Sequence, residues 1–194
     1  MFDDFCKDFN TSIKKLTIEN EYTKRLEPFK SSIGAIEFML NFHGMTFKDG
    51  LYRVHSLNEL DKWNRIAIDT FPFLSNRIQC FAYDWLGRQF VLDFKRKIDN
   101  EPMILMLEVG TGEVLEMPCT FKSFHEEELI EYQDAAIATE FFNEWNKENG
   151  KRLEHNKCVG YKVPLFLGGK DSINNLEVND MDVYWGTIGQ LIRS

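Results

Sequence analysis

Two short loops constrain this chain more than anything else in it. Residues 78–83 and 89–94 are runs of aromatic and aliphatic side chains separated only by Asp84-Trp85-Leu86-Gly87-Arg88. Residues 103–109 and 114–118 repeat the pattern around Gly110-Thr111-Gly112-Glu113. Such runs favour extended backbone. Parallel neighbours need a crossover of about a dozen residues or more, which these loops cannot supply, so the four segments predict an antiparallel meander.

Helical patterns flank it. Phe2, Phe5, Cys6, Phe9 and Ile13 recur at the spacing that gathers apolar groups on one helix face. Pro28 and Phe29 lead into a second pattern, Ile33, Ile36 and Leu40, that should stop near Gly44. Residues 45–54 read as a hairpin around Lys48-Asp49-Gly50, because Asp-Gly supplies the positive φ of tight turns. Ser56-Leu57-Asn58-Glu59 fits a capping box ahead of Leu60, Trp63 and Ala67, and Pro72 interrupts that helix. Beyond the meander, Ser123-Phe124-His125-Glu126 fits a second capping box. It would open one long helix to Asn149, stopped by Gly150, with Ile130, Ile137, Phe141 and Trp145 on its apolar stripe.

Residues 158–185 carry an apolar run at 163–167, a Gly168-Gly169 turn, the stretch Asn175-Leu176-Glu177-Val178 and a helix start at Asp180. Asn179 or Asp180 would cap that helix, and Tyr184, Trp185, Ile188 and Leu191 would face the core. The expectation is an α+β fold: a helical portion over residues 1–72, then an antiparallel meander covered by helices over 73–194, as two halves or one continuous globule.

With 194 residues, 17 of them Phe and 4 Trp, the chain can bury a sizeable core without staples. Cys6, Cys80, Cys119 and Cys158 never form a CxxC, which argues against a zinc site or a thioredoxin-type motif and for buried free thiols. The opening residues carry acids where a signal peptide needs bases, and no apolar run approaches the ~20 residues of a membrane span. A cytoplasmic location without membrane contact is expected.

The net charge of -8 is local: residues 99–148 hold 13 acids and only two bases, Lys122 and Lys147. Part of this is structural, since Glu126, Glu127 and Glu128 sit in the first turn of the expected helix, where carboxylates favour the positive end of the dipole. Glu131, Glu140, Glu144 and Glu148 are not explained that way. An acidic surface attracts basic partners and repels phosphates, so direct nucleic-acid binding is not expected.

Reactive motifs are absent from the sequence. His43, His55, His125 and His155 show no metal-ligand spacing, and neither a metal nor a cofactor is expected. Gly168-Gly169-Lys170-Asp171 is no phosphate loop, because a P-loop needs glycine where Pro164 stands and serine or threonine at Asp171. Asp84, Trp85 and Arg88 are candidate partner contacts, since Trp and Arg anchor many interfaces from loops; the alternative is that Asp84 and Arg88 pair to hold the turn.

Phe81-Ala82-Tyr83-Asp84-Trp85-Leu86-Gly87-Arg88-Gln89-Phe90, Glu108-Val109-Gly110-Thr111-Gly112-Glu113 and above all residues 158–185 resemble the C-terminal domain of type VI secretion DNase-immunity proteins. Phe47-Lys48-Asp49-Gly50-Leu51-Tyr52-Arg53-Val54 is similar to the GAD-like domain that precedes it in that family. The resemblance implies an intracellular bacterial protein that binds and neutralises a toxin, typically a DNase, and carries out no reaction itself. It transfers no contact residues. The expected partner is therefore a basic protein toxin, with Glu127, Glu131 and Glu144 as candidate contacts beside Asp84, Trp85 and Arg88. A non-catalytic small-molecule-binding or regulatory module, which as a ligand module would show a closed apolar pocket, and a hydrolase, which would show a metal or a histidine-carboxylate cluster in a cleft, are the other readings.

Overall fold

The computed structural model describes residues 1–16, 20–150 and 152–193, with Asn20 described by its backbone alone. Strands β1 (Thr46–Phe47), β2 (Tyr52–Val54), β3 (Ile78–Asp84), β4 (Gln89–Ile98), β5 (Glu101–Glu108) and β6 (Glu113–Thr120) form one antiparallel sheet in sequence order. The predicted meander is its larger part. The β1–β2 hairpin extends it, with Tyr52 opposite Asp84 and Val54 opposite Ala82, so the sheet runs across residue 72. Asp49 (φ 57) and Gly50 (φ 105) make the first turn, and Asp99 (φ 50) and Asn100 (φ 69) make a two-residue turn between β4 and β5.

Helices cover both faces of this sheet. They are α1 (Asp3–Asp8), α2 (Thr23–Leu26), α3 (Ala35–Phe42), α4 (Leu60–Thr70), α5 (Phe121–Ser123), α6 (Leu129–Glu131), α7 (Gln133–Ile137), α8 (Thr139–Asn149) and α9 (Met181–Ile192). Phe90, Leu92, Ile104 and Met106 project into a core shared with α1, α3 and the segment 121–145. Val91, Leu105, Leu107, Cys80 and Tyr83 project into a second core under α4 and α9. Because each face is buried there, the central stretches 80–83, 90–92 and 103–107 are continuous apolar runs instead of alternating with polar residues. Among the described residues no helix is long and apolar enough to cross a membrane.

Several sequence expectations need correction. α1 stops at Asp8, and Asn10 (φ 49) turns the chain, although Phe2, Phe5 and Phe9 are core as the spacing predicts. On α3 the buried face is Ala35, Phe38, Met39 and Phe42; Ile36 and Leu40 are half-buried, and Ile33, ahead of the helix, is exposed. That helix is apolar on more than one side, and Phe38 and Phe42 fill the core where Ile36 stays half-buried. The single long helix over 123–149 is a broken run: residues 124–128 form one π-helical turn, and the backbone departs from helix at Tyr132 (ψ 30) and Ala138 (φ 50). Its cap is Thr120, whose hydroxyl accepts the Ser123 N–H at 3.3 Å, while Gly150 ends it as expected. Ser56 does not cap α4, accepting instead from the Asn58 N–H at 3.4 Å. In α9 Trp185 and Ile188 are buried but Leu191 is 42% exposed.

Strands β7 (Lys157–Tyr161) and β8 (Leu176–Asp180) form a separate antiparallel pair. One buried cation ties it to the main sheet. The Arg53 guanidinium donates to the carbonyls of Glu154 (2.9 Å), Lys157 (2.5 Å) and Asp84 (2.9 Å), and lies over the Tyr83 ring at 4.5 Å. The Val159 N–H donates to the Trp85 carbonyl at 2.7 Å, and Trp185 Nε1 to the Gly87 carbonyl at 2.8 Å.

Candidate functional site

The breaks at Tyr132 and Ala138 decide which acids meet. α8 starts afresh after Ala138, with Asp134 Oδ1 accepting the Glu140 N–H at 2.8 Å as its first-turn anchor. Glu140, Glu144 and Glu148 then recur every four residues along one exposed face. Like charges at that spacing cost a helix about 0.2–0.5 kcal/mol per pair, so helix stability does not explain them. Among the described residues no cation is paired with these three.

Opposite them lies the turn after the Gly168-Gly169 pair. Together they form a groove of about 680 Å³ lined by Asp134, Glu140, Phe141, Glu144, Glu148 and Asp171, among others. Asp171 is held by the Tyr161 hydroxyl, which donates to its Oδ1 at 2.8 Å. The groove therefore gathers five carboxylates around the exposed edge of one aromatic ring, and the field from each adds in the space between them.

Beside the groove the chain presents apolar side chains on a fixed loop. Val163, Phe166 and Leu167 are 47%, 37% and 55% exposed. Asn175 holds this loop from within: its Oδ1 accepts the Val163 N–H at 3.0 Å, and its Nδ2 donates to the carbonyls of Val163 (2.8 Å) and Lys170 (2.9 Å). The Leu165 N–H donates to the Gly110 carbonyl at 2.9 Å. Gly169 is required, because a side chain there would collide with the Val163 carbonyl.

Of the residues singled out from sequence, Glu144 lines this groove, whereas Glu127 and Glu131 are exposed on the preceding turns and do not. Glu127 accepts the Ser123 hydroxyl at 3.0 Å. Glu126 is half-buried and accepts the Phe5 N–H at 3.1 Å, which ties it to α1. Asp84, Trp85 and Arg88 point inward. Asp84 and Trp85 are 0% exposed and Arg88 7%, and the Arg88 Nε–Asp84 Oδ2 pair at 2.5 Å holds the turn, the structural alternative read from the sequence. Trp85 Nε1 donates to the Ile137 carbonyl at 3.0 Å. Glu108 shares the same guanidinium at 3.5 Å, and burial pushes its carboxyl up to about 7. In this conformation the three residues offer a partner no surface.

Glu140 and Glu148 stood out in the sequence as acids the helix dipole does not explain, but neither they nor Asp171 was named as a partner contact. The spacing of four among Glu140, Glu144 and Glu148 was the available signal; Asp171 had none, because only the fold brings it opposite α8.

A smaller cleft of about 220 Å³ has Glu59, Trp63, Tyr83 and His155 in its walls. His155 Nε2 lies 3.0 Å from Glu59 Oε2 and its Nδ1 3.2 Å from the Tyr83 hydroxyl, which donates to the His155 carbonyl. The hydrogen bond from His155 holds the Glu59 carboxyl below its usual range. Held by Glu59 on one side and Tyr83 on the other, His155 clamps the segment before β7 onto the start of α4. Among the described residues no group of three His, Cys, Asp or Glu side chains could hold a metal ion.

No curated protein matches the chain. The crystal structure of Atu4351 from Agrobacterium tumefaciens resembles it with a TM-score of 0.66 at 14% identity, covering 98% of this chain and 89% of that one, a likeness of fold. Residues 120–192 match the family described as T6SS immunity protein Tdi1, C-terminal, a stretch that holds the broken helical run, the acidic groove, the apolar loop and α9.

Proposed function

We propose that this chain is a cytoplasmic, non-catalytic immunity protein that binds a basic protein toxin and blocks it by occupying the surface the toxin needs. The observation that carries this reading is the coincidence of the acidic groove and the rigid apolar loop inside residues 120–192, the stretch that matches an immunity-protein family. Stable interfaces combine apolar anchors with a polar, charged rim, and a loop already held in shape loses little entropy on binding. A nuclease presents cations to phosphates, so an acidic face competes directly for that surface. The GAD-like character of the first part and the DNase specificity of the target belong to the same proposal.

The experiment is kinetic. Charge reversal at Glu140, Glu144 and Glu148, which line the groove, should slow association with the toxin by about tenfold at low salt, with unchanged thermal stability, because steering by rim charges acts on the encounter rate. Reversal at Glu127 and Glu131, outside the groove, should add to it if the contact extends along the run. The difference should shrink as salt rises past about 0.15 M, where charges more than about 8 Å apart are screened. Association kinetics indistinguishable from the parent chain across that salt range would eliminate the electrostatic part of the proposal.

A further inference from the structure

The two ends of the six-stranded sheet differ. At one end β1 is two residues long, and such brevity keeps an edge from recruiting other strands. At the other end β6 runs eight residues and keeps unbroken register with β5 from Glu113, opposite Glu108, to Met117, opposite Ile104. The ladder slips beyond Met117, where Pro118 has no N–H to give. Among the described residues no strand lies outside β6, and the backbone of 113–117 makes no hydrogen bond outside the sheet. Leu115, 39% exposed, and half-buried Met117 stand opposite Met106 and Ile104 of one core; half-buried Val114 stands opposite Leu107 of the other. Both cores therefore end one strand short of cover.

What flanks this edge indicates what would pair with it. Phe166 of the rigid apolar loop packs against the turn before β6, 3.6 Å from where a Gly112 side chain would begin, so loop and edge are one continuous surface. At the far end, the carboxylates of Glu128 and Glu127 stand near enough to Cys119 to add to the upward push that burial gives its thiol. Residues 113–128 hold five acids and one base, Lys122. Arg96 reaches Glu116 at 3.4 Å but is shared with Asp93 at 3.8 Å, and Lys95 and Lys97 belong to β4, two strands away.

We propose that β6 receives an extended strand from a basic protein partner, paired along 113–117. The partner's apolar side chains continue the rows of Leu115 and Val114 toward Phe166, and its cations meet Glu113 and Glu116. In such strand addition the main chain supplies affinity and the alternating side chains supply specificity. A second copy of this chain would bring the same acids against one another, whereas lysine or arginine between apolar residues matches both features. The partner's identity as the toxin rests on the immunity reading above; the pairing itself does not.

The probe is a disulfide-closed hairpin peptide whose free outer strand alternates lysine and valine, already shaped for pairing. It is added to the whole chain and followed by amide NMR shifts and hydrogen exchange. Saturable binding is expected, with shifts centred on 113–117 and slowed exchange there. The same hairpin N-methylated along its free strand, or carrying glutamate for lysine, should bind about tenfold more weakly or not at all. Glu113→Lys with Glu116→Lys should weaken binding about tenfold at unchanged melting temperature, and Leu115→Ala about threefold. Absence of saturable binding overturns the proposal, as does binding that the N-methylated hairpin shares or that these variants leave unchanged. Shifts confined to 134–148 and 171 would reject strand addition while leaving the acidic groove as the toxin's seat, which separates this failure from failure of the toxin reading. Dimerisation of the chain through 113–117 without peptide would assign the edge to a second copy and likewise reject it.

Discussion

At His125 the imidazole is enclosed by rings, with Phe38 at 3.9 Å and Phe121 at 4.5 Å between centroids. Its Nδ1–H donates to the Phe121 carbonyl at 2.8 Å and its Nε2 accepts the Tyr52 hydroxyl at 2.9 Å, a pattern that fits the neutral ring. His55 is equally enclosed, stacked on Tyr83 at 4.6 Å and donating from Nε2 to Gln89 Oε1 at 2.6 Å. Burial pushes both down to about 3 from 6.5. The unfolded chain therefore binds protons below pH 6.5 that the folded chain refuses until about pH 3, so stability is complete above pH 6.5 and falls as pH drops through that window. Each histidine contributes a loss of about 2 kcal/mol by pH 5. Glu108 works in the opposite direction: its raised carboxyl favours the folded state below about 4.5 and loses that contribution as pH rises toward 7. Denaturant unfolding at pH 7 and pH 5 should show the net loss, while the ring resonances of His55 and His125 stay at their neutral positions. Titration of either ring in the folded protein above pH 5 would contradict it.

Among the elements, β7 and α9 meet at a glycine. A side chain at Gly160 would enter the Tyr184 ring, whose hydroxyl also accepts the Tyr161 N–H at 3.1 Å. Gly160→Ala should therefore destabilise by about 1–3 kcal/mol through overpacking. Gly186, exposed within α9 with open space at its Cβ position, gives the contrast: Gly186→Ala should stabilise by about 0.5–1 kcal/mol. Opposite shifts in melting temperature confirm both, and equal shifts would refute the packing account. This scale also shows what the sequence could reveal. The strands of the meander were legible because their loops are too short for any other connection. The break in the 121–149 run was not, because Tyr132 and Ala138 are neither glycine nor proline, and left-handed backbone at an alanine leaves no mark in residue type. The buried face of α3 was ambiguous because two apolar stripes compete on one short helix. Of the candidate contacts, the charge concentration was visible but its geometry was not: Glu144 meets Asp171 across a groove only because the Gly168-Gly169 turn folds back toward α8.

For the whole molecule, the sheet is the unit of cooperativity. β2 supplies the neighbour of β3 from before residue 72, and its Arg53 reaches the carbonyls of Glu154 and Lys157 near the second strand pair. A fragment of residues 73–194 would bare the backbone edge of β3 and uncover Phe81, Phe90 and Phe124, so it should aggregate or lack fixed tertiary structure by NMR. A soluble, well-dispersed fragment would show instead that the later part folds alone. One further consequence concerns time. Phe2 packs on Phe121 at 6.2 Å and on His125 at 5.8 Å between ring centroids. During synthesis the first helix leaves the ribosome long before those residues exist, at about 5–20 residues per second. Early rings such as Phe38, at 5.0 Å from Phe2 and 5.1 Å from Phe5, can meet its phenylalanines first, but the side that Phe121 and His125 cover stays open for several seconds until the middle of the sequence arrives.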